Sequence, residues 1–406
     1  MTEALKPLDG ITIIDLTRLV PGPFTSMLLS DLGARVIKVE SPSAPDILRF
    51  PEPHLDGANV GFSTLNRSKE SLVVELTRPD GAEVVARLSE KADVLLTSTR
   101  PGWLDARGLG HLQLSQRNPG IISCALRGYS ESSQEGHKGG HDINFLALSG
   151  LAACLKGQGG EPILPSVQLG DIAGGLSAAV AILAALVERG KSGAGRSLEI
   201  SLTQSCSAFT VLLEAAALLG VQQKVFELGA LTGKSPAYRY YQCADGRWLA
   251  VGALEKKYQQ RLLERLELHA PEGLWPVSTE DWPTDLFMGW EEAGAATEVL
   301  EKVFRSKSRD QWVELFVDLD ACITPVLEVP EAIESSGAVY QSLDSEQNLV
   351  PQPAGLLDSG FPGDSLRRTA ALPGQHTKAL LLEAGYSESE IAVLIAEGVA
   401  LGLGSK

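Results

Sequence analysis

Residues 11–39, Ile-Thr-Ile-Ile-Asp-Leu-Thr-Arg-Leu-Val-Pro-Gly-Pro-Phe-Thr-Ser-Met-Leu-Leu-Ser-Asp-Leu-Gly-Ala-Arg-Val-Ile-Lys-Val, decide the fold. Ile11 to Leu16 is a continuous, largely β-branched run, the pattern of a strand. After Pro21-Gly22-Pro23, the side chains Phe24, Met27, Leu28, Leu29 and Leu32 recur at helical spacing until Gly33 ends the helix. Arg35 to Val39 reads as a second strand. Strand, helix and strand in this order predict parallel pairing through a right-handed crossover.

The pattern repeats outward. Leu72-Val73-Val74 reads as a strand, Gly81 to Lys91 as an amphipathic helix, and Asp93 to Thr97 and Ile121 to Ala125 as two more strands. An open α/β sheet therefore fills the N-terminal third. From His141 to Gly220 the texture is helical, with a very apolar helix over Leu169 to Leu186, interrupted at Gly174-Gly175, and a second over Thr203 to Leu219. Further on, Tyr238 to Cys243 and Trp248 to Val251 flank Ala244-Asp245-Gly246-Arg247, whose Asp-Gly predicts a hairpin. That hairpin opens a smaller α+β domain running to a strand over Cys322 to Val329. Val350 to Pro373 reads as a long surface crossing, and the tail from Gly374 as an amphipathic helical pair. The expected division is a large domain over 1–200 and 330–406, a linker helix over 201–227 and a small domain over 228–329.

With 35 basic and 51 acidic side chains among 406 residues, the net charge is −16, and no run of five Lys or Arg occurs. Nucleic acid is therefore not an expected partner. The five cysteines, Cys124, Cys154, Cys206, Cys243 and Cys322, are widely spaced without a CxxC pair, which predicts reduced, buried thiols. Met1 to Asp9 carries charges and lacks the apolar core of a signal peptide. The longest apolar stretch, Gly174 to Val187, is shorter than the roughly 20 residues a bilayer crossing needs. No membrane span is expected, and the expected location is the cytoplasm.

No GxGxxG, GxxxxGK[ST], HExxH or GxSxG stands in its required setting, so nicotinamide, nucleoside triphosphate, zinc-protease and hydrolase chemistries lose their main support. His137 and His141 are four apart, but Gly139-Gly140 between them opposes a helix and no third ligand is near, so no metal is expected. In Gly140-His141-Asp142-Ile143-Asn144-Phe145 a glycine pair runs into a helix and puts His141 at its start. The positive end of that helix favours neutral imidazole, which accepts a proton near pH 7. The other reading makes Asp142 or Asn144 the helix cap and His141 incidental. Asp171, in Gly170-Asp171-Ile172, is a lone carboxylate in an apolar helical start. It reads either as an acid or base of altered pKa or as a cap.

Together with Leu19 to Phe24, Asp31 to Glu40, Arg100-Pro101-Gly102, Asp320 to Leu327 and Pro373-Gly374-Gln375-His376-Thr377, these residues resemble the family III CoA-transferase superfamily. Within it the chain is most similar to the α-methylacyl-CoA racemases, in order over nearly its whole length. The resemblance implies an α/β fold: a large Rossmann-like domain with a parallel sheet completed by the C-terminus, a smaller α+β domain, and an interlocked homodimer. It implies racemisation beside the thioester of an acyl-CoA, with no cofactor apart from the CoA of the substrate. His141 and Asp171, 30 residues apart as in the family, become the catalytic pair, and Glu255 in Gly252-Ala253-Leu254-Glu255 their support. The implied CoA contacts are Lys38, Ser41, Val74, Glu75, Leu76, Thr77, Thr97, Ser98, Thr99, Arg100, Arg107, Gly140, Asp142, Ile143, Asn144 and Phe145.

The sequence departs from the family pattern in three places. Glu70 stands where a phosphate-facing base is usual, Ala106 replaces an arginine with Arg107 beside it, and Gly233-Lys234-Ser235-Pro236 replaces a Gly-Gly-Ala-Pro loop. Two alternatives accompany the racemase. One is a CoA-transferase in which Asp171 attacks the thioester and carries the acyl group as a mixed anhydride. The other is a CoA-binding protein without catalysis. His141 opposes the first, since transfer needs only the carboxylate, and His141, Asp171 and Glu255 together oppose the second.

Overall fold

A computed structural model describes residues 6–55, 58–157, 159–221, 233, 235–273, 293–337, 339–343, 349–353, 355–356 and 367–403. The chain forms two compact units, residues 1–210 with 338–406 and residues 211–337. The first break falls within the helix Ser207–Leu218.

The large unit begins with the expected crossover: β1 (Thr12–Leu16), α1 (Pro21–Asp31) and β2 (Arg35–Glu40). It continues through β3 (Glu70–Val74), α2 (Pro79–Ser89), β4 (Val94–Thr97), β5 (Ile122–Arg127), α3 (Asp142–Leu148), α4 (Leu169–Ser192) and β6 (Ser197–Ser201). The sheet order is Ala400–Leu401, β3, β2, β1, β4, β5, β6. The six numbered strands pair in parallel, and only Ala400–Leu401 runs antiparallel, on the β3 edge. The chain leaves β1 towards one edge and later returns to build the other. The reversal of strand order lies between β1 and β4, where open α/β sheets place a ligand crevice.

Adjacent residues of β1 serve opposite cores. Ile13 packs with Phe24, Leu28, Ala178 and Ile182 beneath α1 and α4. Ile14 packs with Val84, Val85, Leu380 and Leu394 beneath α2 and the tail helices Thr377–Glu383 and Glu388–Ala396. Alternation across a sheet covered on both faces explains why the neighbours Ile13 and Ile14 are both apolar.

Helix α4 is continuous through Gly174-Gly175, where the sequence suggested an interruption. A Cβ on Gly174 would lie 2.0 Å from Leu202 Cδ2, and one on Gly175 would lie 2.7 Å from Phe24 Cδ1 and 2.9 Å from the Pro21 carbonyl oxygen. The glycines let α4 approach α1 and the segment after β6, and packing outweighs their poor helix propensity. At 24 residues, with a hydropathy of 1.9, α4 is the one helix among the described residues long and apolar enough to cross a membrane by length and composition. It exceeds the shorter apolar stretch because it extends through charged residues to Ser192, and its small side chains pack in the core.

In the small unit β7 (Tyr238–Gln242) and β8 (Trp248–Gly252) form the expected hairpin about Asp245-Gly246, and β9 (Ile323–Pro325) pairs with β8. The strand expected to reach Val329 stops at Pro325, and a helix occupies Val329–Ser336. Glu328 begins that helix in a reciprocal cap with Glu331, with proline in the first turn. Tyr241, Phe304 and Trp312 centre a separate core.

The expected linker over 201–227 is instead the end of β6, the helix Leu202–Ser205 and the helix Ser207–Leu218, with 222–227 outside the described residues. Within the expected surface crossing, Leu349–Pro353 pairs with Val339–Leu343, and 357–366 lie outside the described residues. All five cysteines are free. Cys124, Cys206 and Cys243 are buried as expected, whereas Cys154 and Cys322 are partly exposed.

Candidate functional site

The C-terminal ends of the parallel strands open into a cleft of about 730 Å³. Leu16 ends β1 on its wall, Val39 to Ser41 end β2, Glu75 to Thr77 follow β3, Ser98 to Arg100 follow β4, and Arg127 to Tyr129 end β5. Gly140 and Phe145 close it at the start of α3. Of the implied CoA contacts, Ser41, Glu75, Leu76, Thr77, Ser98, Thr99, Arg100, Gly140 and Phe145 line this cleft.

The Glu75 carboxylate accepts hydrogen bonds from Ser41 at 2.7 Å, from Ser43, and from the Thr77 side chain at 2.7 Å. Burial pushes its pKa up, but these donors outweigh burial and hold the group at about 2. Glu75 is thus an ionised wall of the cleft with its acceptor sites largely occupied.

Lys38 is placed otherwise. Its ammonium is buried in the sheet, donating to the Thr17 carbonyl and to Asp46 Oδ2 at 3.2 Å. It belongs to a polar layer beneath the cleft, in which Lys69 donates to Asp15 Oδ2 at 3.3 Å, to Ser26 Oγ at 2.7 Å and to Asn66 Oδ1 at 2.9 Å. Asp15 is fully buried. Desolvation would raise its pKa, but Lys38 and Lys69 win and hold it at about 2. These charges are satisfied by one another, as buried charges have to be. A lysine in a strand continuous with Ile37 and Val39 offers no sequence signal for which way its amine points.

The turn after β1 shows strain. Leu19 takes a left-handed φ of 66°, and its N–H reaches the Asp46 carboxylate at 3.2 Å. A branched side chain is unfavourable in this conformation, and such outliers gather at functional turns. Arg18, next to it, lines the cleft.

The start of α3 brings the two proposed bases into one neighbourhood. His141 is the N-cap residue, and the Asn144 side chain accepts its N–H at 3.0 Å. Asn144 therefore takes part in capping the helix, as the second of the two readings expects, through the N–H of His141. Gly140 cannot carry a side chain, because its Cβ would lie 2.5 Å from Tyr129 Oη and 2.8 Å from Phe145 Cε1. Asp142 Oδ1 accepts the Asp171 N–H at 2.9 Å, tying the start of α3 to that of α4. The Asp171 carboxyl is raised to about 6, by burial first and the Asp142 charge second, with His141 acting in opposition. A carboxyl of this strength exchanges protons readily near neutral pH.

The other implied residues lie outside the cleft wall. Val74 is buried in β3, and Thr97 is buried and within 3.1 Å of the Thr99 hydroxyl. Asp142, Ile143 and Asn144 sit on α3 just beyond Gly140. Arg107 stacks 3.7 Å over the Trp103 ring and donates to the Trp103 carbonyl at 2.8 Å. Glu70, the acid in an expected phosphate position, forms a two-point pair with Arg35 at 2.8 and 2.9 Å. Lys234 of the altered loop lies outside the described residues. Glu255 is exposed at the N-cap of Lys256–His269 in the small unit, making no side-chain capping bond.

The sequence reading missed Arg18, Ser43, Trp103, Arg127, Tyr129 and Lys138 on the cleft wall. Position alone could have found Arg18, Arg127 and Tyr129, which directly follow or end β1 and β5, where this class of sheet binds ligands. Among the described residues, Arg18 and Arg100 make no ion pair, which leaves two guanidinium groups available to an anion at the cleft.

A mostly parallel sheet with a strand-end cleft, guanidinium groups on its wall and an imidazole and carboxyl near its mouth defines the class as an open α/β protein with its candidate site at the strand ends. The chain belongs to CoA-transferase family III, whose model matches residues 8–377. It is 33% identical to the α-methylacyl-CoA racemase of Homo sapiens over 95% of both chains. It is also 30% identical to the succinyl-CoA:glutarate CoA-transferase of Mus musculus, covering 98% of this chain and 91% of that one. A CAIB/BAIF family protein from Brucella suis has the same fold, with a TM-score of 0.77 at 23% identity over 93% of this chain and 99% of its own.

Proposed function

We propose that the chain is an isomerase that interconverts the (R) and (S) forms of 2-methylacyl-CoA thioesters by α-proton removal and return through an enolate. The observation that carries this reading is the pairing of His141 at the start of α3 with a pKa-raised Asp171 at the start of α4, joined through Asp142. In one direction a base takes the α-proton, the C–H electron pair moves into the enolate, and the other group protonates the opposite face. The roles exchange in the reverse direction. Among the described residues the amides of Asp142 and Ile143 have no intrachain acceptor and are available to the thioester oxygen as charge develops there. The CoA moiety occupies the strand-end cleft, its phosphates facing Arg18 and Arg100. No metal or redox group enters the reaction so written. The working form is a homodimer.

A second reading has one specific support, the 30% identity to a CoA-transferase. There the ionised Asp171 would attack the thioester carbon, expel CoA thiolate and carry the acyl group as an anhydride. No lysine or arginine acts on Asp171 to keep it ionised, and attack leaves His141 without a task. One experiment separates the readings: a 2-methylacyl-CoA, a free carboxylic acid and deuterated water in a single tube. Deuterium at the α-carbon without a new thioester supports the racemase. A new thioester without deuterium makes the protein a transferase, and binding with neither product makes it a CoA-binding protein.

A further inference from the structure

Asp142 stands between the two groups on which the proposed exchange depends. It is the first residue of α3, directly after His141, and its Oδ1 accepts the Asp171 N–H at 2.9 Å. Asp171 is the third residue of α4, a helix whose own flanking residue, Gln168, makes no side-chain capping bond. The Asp142 carboxylate caps α4 from another helix. The approach is close: a Cβ on Gly170 would lie 3.1 Å from Asp142 Oδ1 and 3.2 Å from Cys206 Sγ. The residue before Asp171 must therefore be small for the carboxylate to enter.

A neutral amide or hydroxyl caps a helix as well as a carboxylate does. What the carboxylate adds is a negative charge near a second, partly buried carboxyl, which disfavours the charged form of that carboxyl. We propose that Asp142 is a positioning residue for Asp171, fixing its backbone at the head of α4 and, through its charge, keeping the Asp171 carboxyl able both to take and to give a proton near neutral pH. This rests on the racemase reading. With Asp171 as base, the α-C–H bond breaks, the proton goes to the carboxylate oxygen and the electron pair to the enolate. In the reverse direction the carboxyl O–H bond breaks and the proton returns to carbon.

The charged groups acting on Asp171 are few. Asp142 raises its pKa and His141 lowers it, both from the start of α3, and no lysine or arginine takes part. Cys206, across from the same turn, has its thiol pushed up by burial, with a Ser149 hydrogen bond opposing and both carboxylates assisting, so it stays uncharged and leaves the balance to the three named groups.

The test uses the full chain labelled with carboxyl-13C aspartate, the Asp171 resonance being identified by its loss in Asp171→Asn. In the unsubstituted protein its midpoint is expected near 6. In Asp142→Asn and Asp142→Ser, which keep a capping acceptor and remove the charge, the midpoint should fall by about one pH unit. Asp142→Glu, which keeps the charge, should restore it. The acid limb of the pH profile for α-deuterium exchange should move with the midpoint. An unmoved midpoint in either folded neutral variant overturns the proposal, as does a midpoint at or below 4 in the unsubstituted protein, a result that needs no variant to fold. A midpoint that moves as expected in a protein exchanging no α-hydrogen at any pH upholds the tuning by Asp142 and removes the racemase reading instead.

Discussion

Nδ1 of His376 accepts the N–H of Ser71 at 3.0 Å while the His376 N–H donates to the Ser71 carbonyl at 3.1 Å. This reciprocal pair docks the C-terminal segment on β3, and Gly374 N–H adds a bond to Ser71 Oγ at 3.1 Å. The contact needs an unprotonated Nδ1. Burial lowers the imidazole pKa below 6.5, with Glu70 opposing and Arg368 and Arg35 assisting. A base with a depressed folded-state pKa contributes stability above its unfolded value and loses it as pH falls through the folded value. Urea unfolding should therefore show a loss of stability below about pH 6.5. His376→Asn, which keeps an acceptor without titrating, should flatten that dependence. His376→Ala, leaving the Ser71 N–H unpaired, should cost about 1–3 kcal/mol at pH 8.

Asp171 has the opposite linkage. Its carboxyl is raised from 3.8 to about 6, so the stability it contributes is fully present below pH 3.8 and is lost as pH rises through about 6. Asp171→Asn should therefore be more stable than the parent at pH 8, by about 1–2 kcal/mol after allowance for solvent screening, and should gain nothing at pH 4. Denaturant titrations at the two pH values measure the difference. A gain at pH 8 together with loss of α-exchange would mark Asp171 as a residue kept for function at a cost in stability.

Gly140 admits no side chain. The added methyl of Gly140→Ala meets Tyr129 Oη and Phe145 within 2.8 Å, so the turn that presents His141 has to shift. Misplacement of a catalytic group by about an ångström lowers rates by about two orders of magnitude. The α-exchange rate should fall by that order while circular dichroism stays that of the parent. Tyr129→Phe in the same chain, by removing the closest atom, should restore part of the rate.

Much of the large unit was legible because its signals are local. The apolar runs at Ile13 and Val36 and the helical spacing of Phe24 to Leu32 report their environment whatever surrounds them. Of the strand-end residues on the cleft wall, Ser41, Glu75 to Thr77 and Ser98 to Arg100 were named through the family resemblance, whereas Arg18, Arg127 and Tyr129, which only the topology points to, were not. What could not be read was direction and partnership. Lys38 faces inward to Asp46, Glu70 turns to Arg35, and Arg107 folds over Trp103, all settled by contacts between distant segments. The unbroken course of α4 through Gly174-Gly175 depends likewise on Leu202 and Phe24, not on helix propensity. The reach of Asp142 across to the Asp171 amide left no trace in spacing, because 29 residues separate the two.

Leu148, Leu164, Val167, Val180 and Val187 are exposed on α3, on α4 and in the segment that leads into α4. Val180 and Val187, seven residues apart, share a face of α4, and exposed apolar side chains so placed are a usual mark of association. Sedimentation at micromolar concentration should find a dimer of the 43.2 kDa chain and no monomer. Val180→Glu with Val187→Glu should raise the monomer fraction at least tenfold. A parent protein that is monomeric and active would refute the dimer.

We propose that Glu255, carried by the small unit of a second copy of the chain, tunes the imidazole of His141 without exchanging protons with substrate. Its carboxylate is exposed and uncapped at the head of Lys256–His269, outside the unit that carries His141 and Asp171. Inversion needs both bases in either direction, so the test lies in α-hydrogen exchange: a base serves one face only, and its loss stops the exchange of one enantiomer, whereas loss of a tuning residue slows it. Starting from each pure enantiomer, Glu255→Gln should lower inversion by one to two orders of magnitude and leave α-deuterium exchange measurable from both. His141→Ala should behave differently. With one face deprived of its proton carrier, inversion should fall below detection, while α-deuterium exchange with retained configuration continues through Asp171. If Glu255→Gln abolished α-deuterium exchange from one enantiomer while His141→Ala only slowed it, Glu255 would be the base, and the imidazole of His141 would take the supporting part.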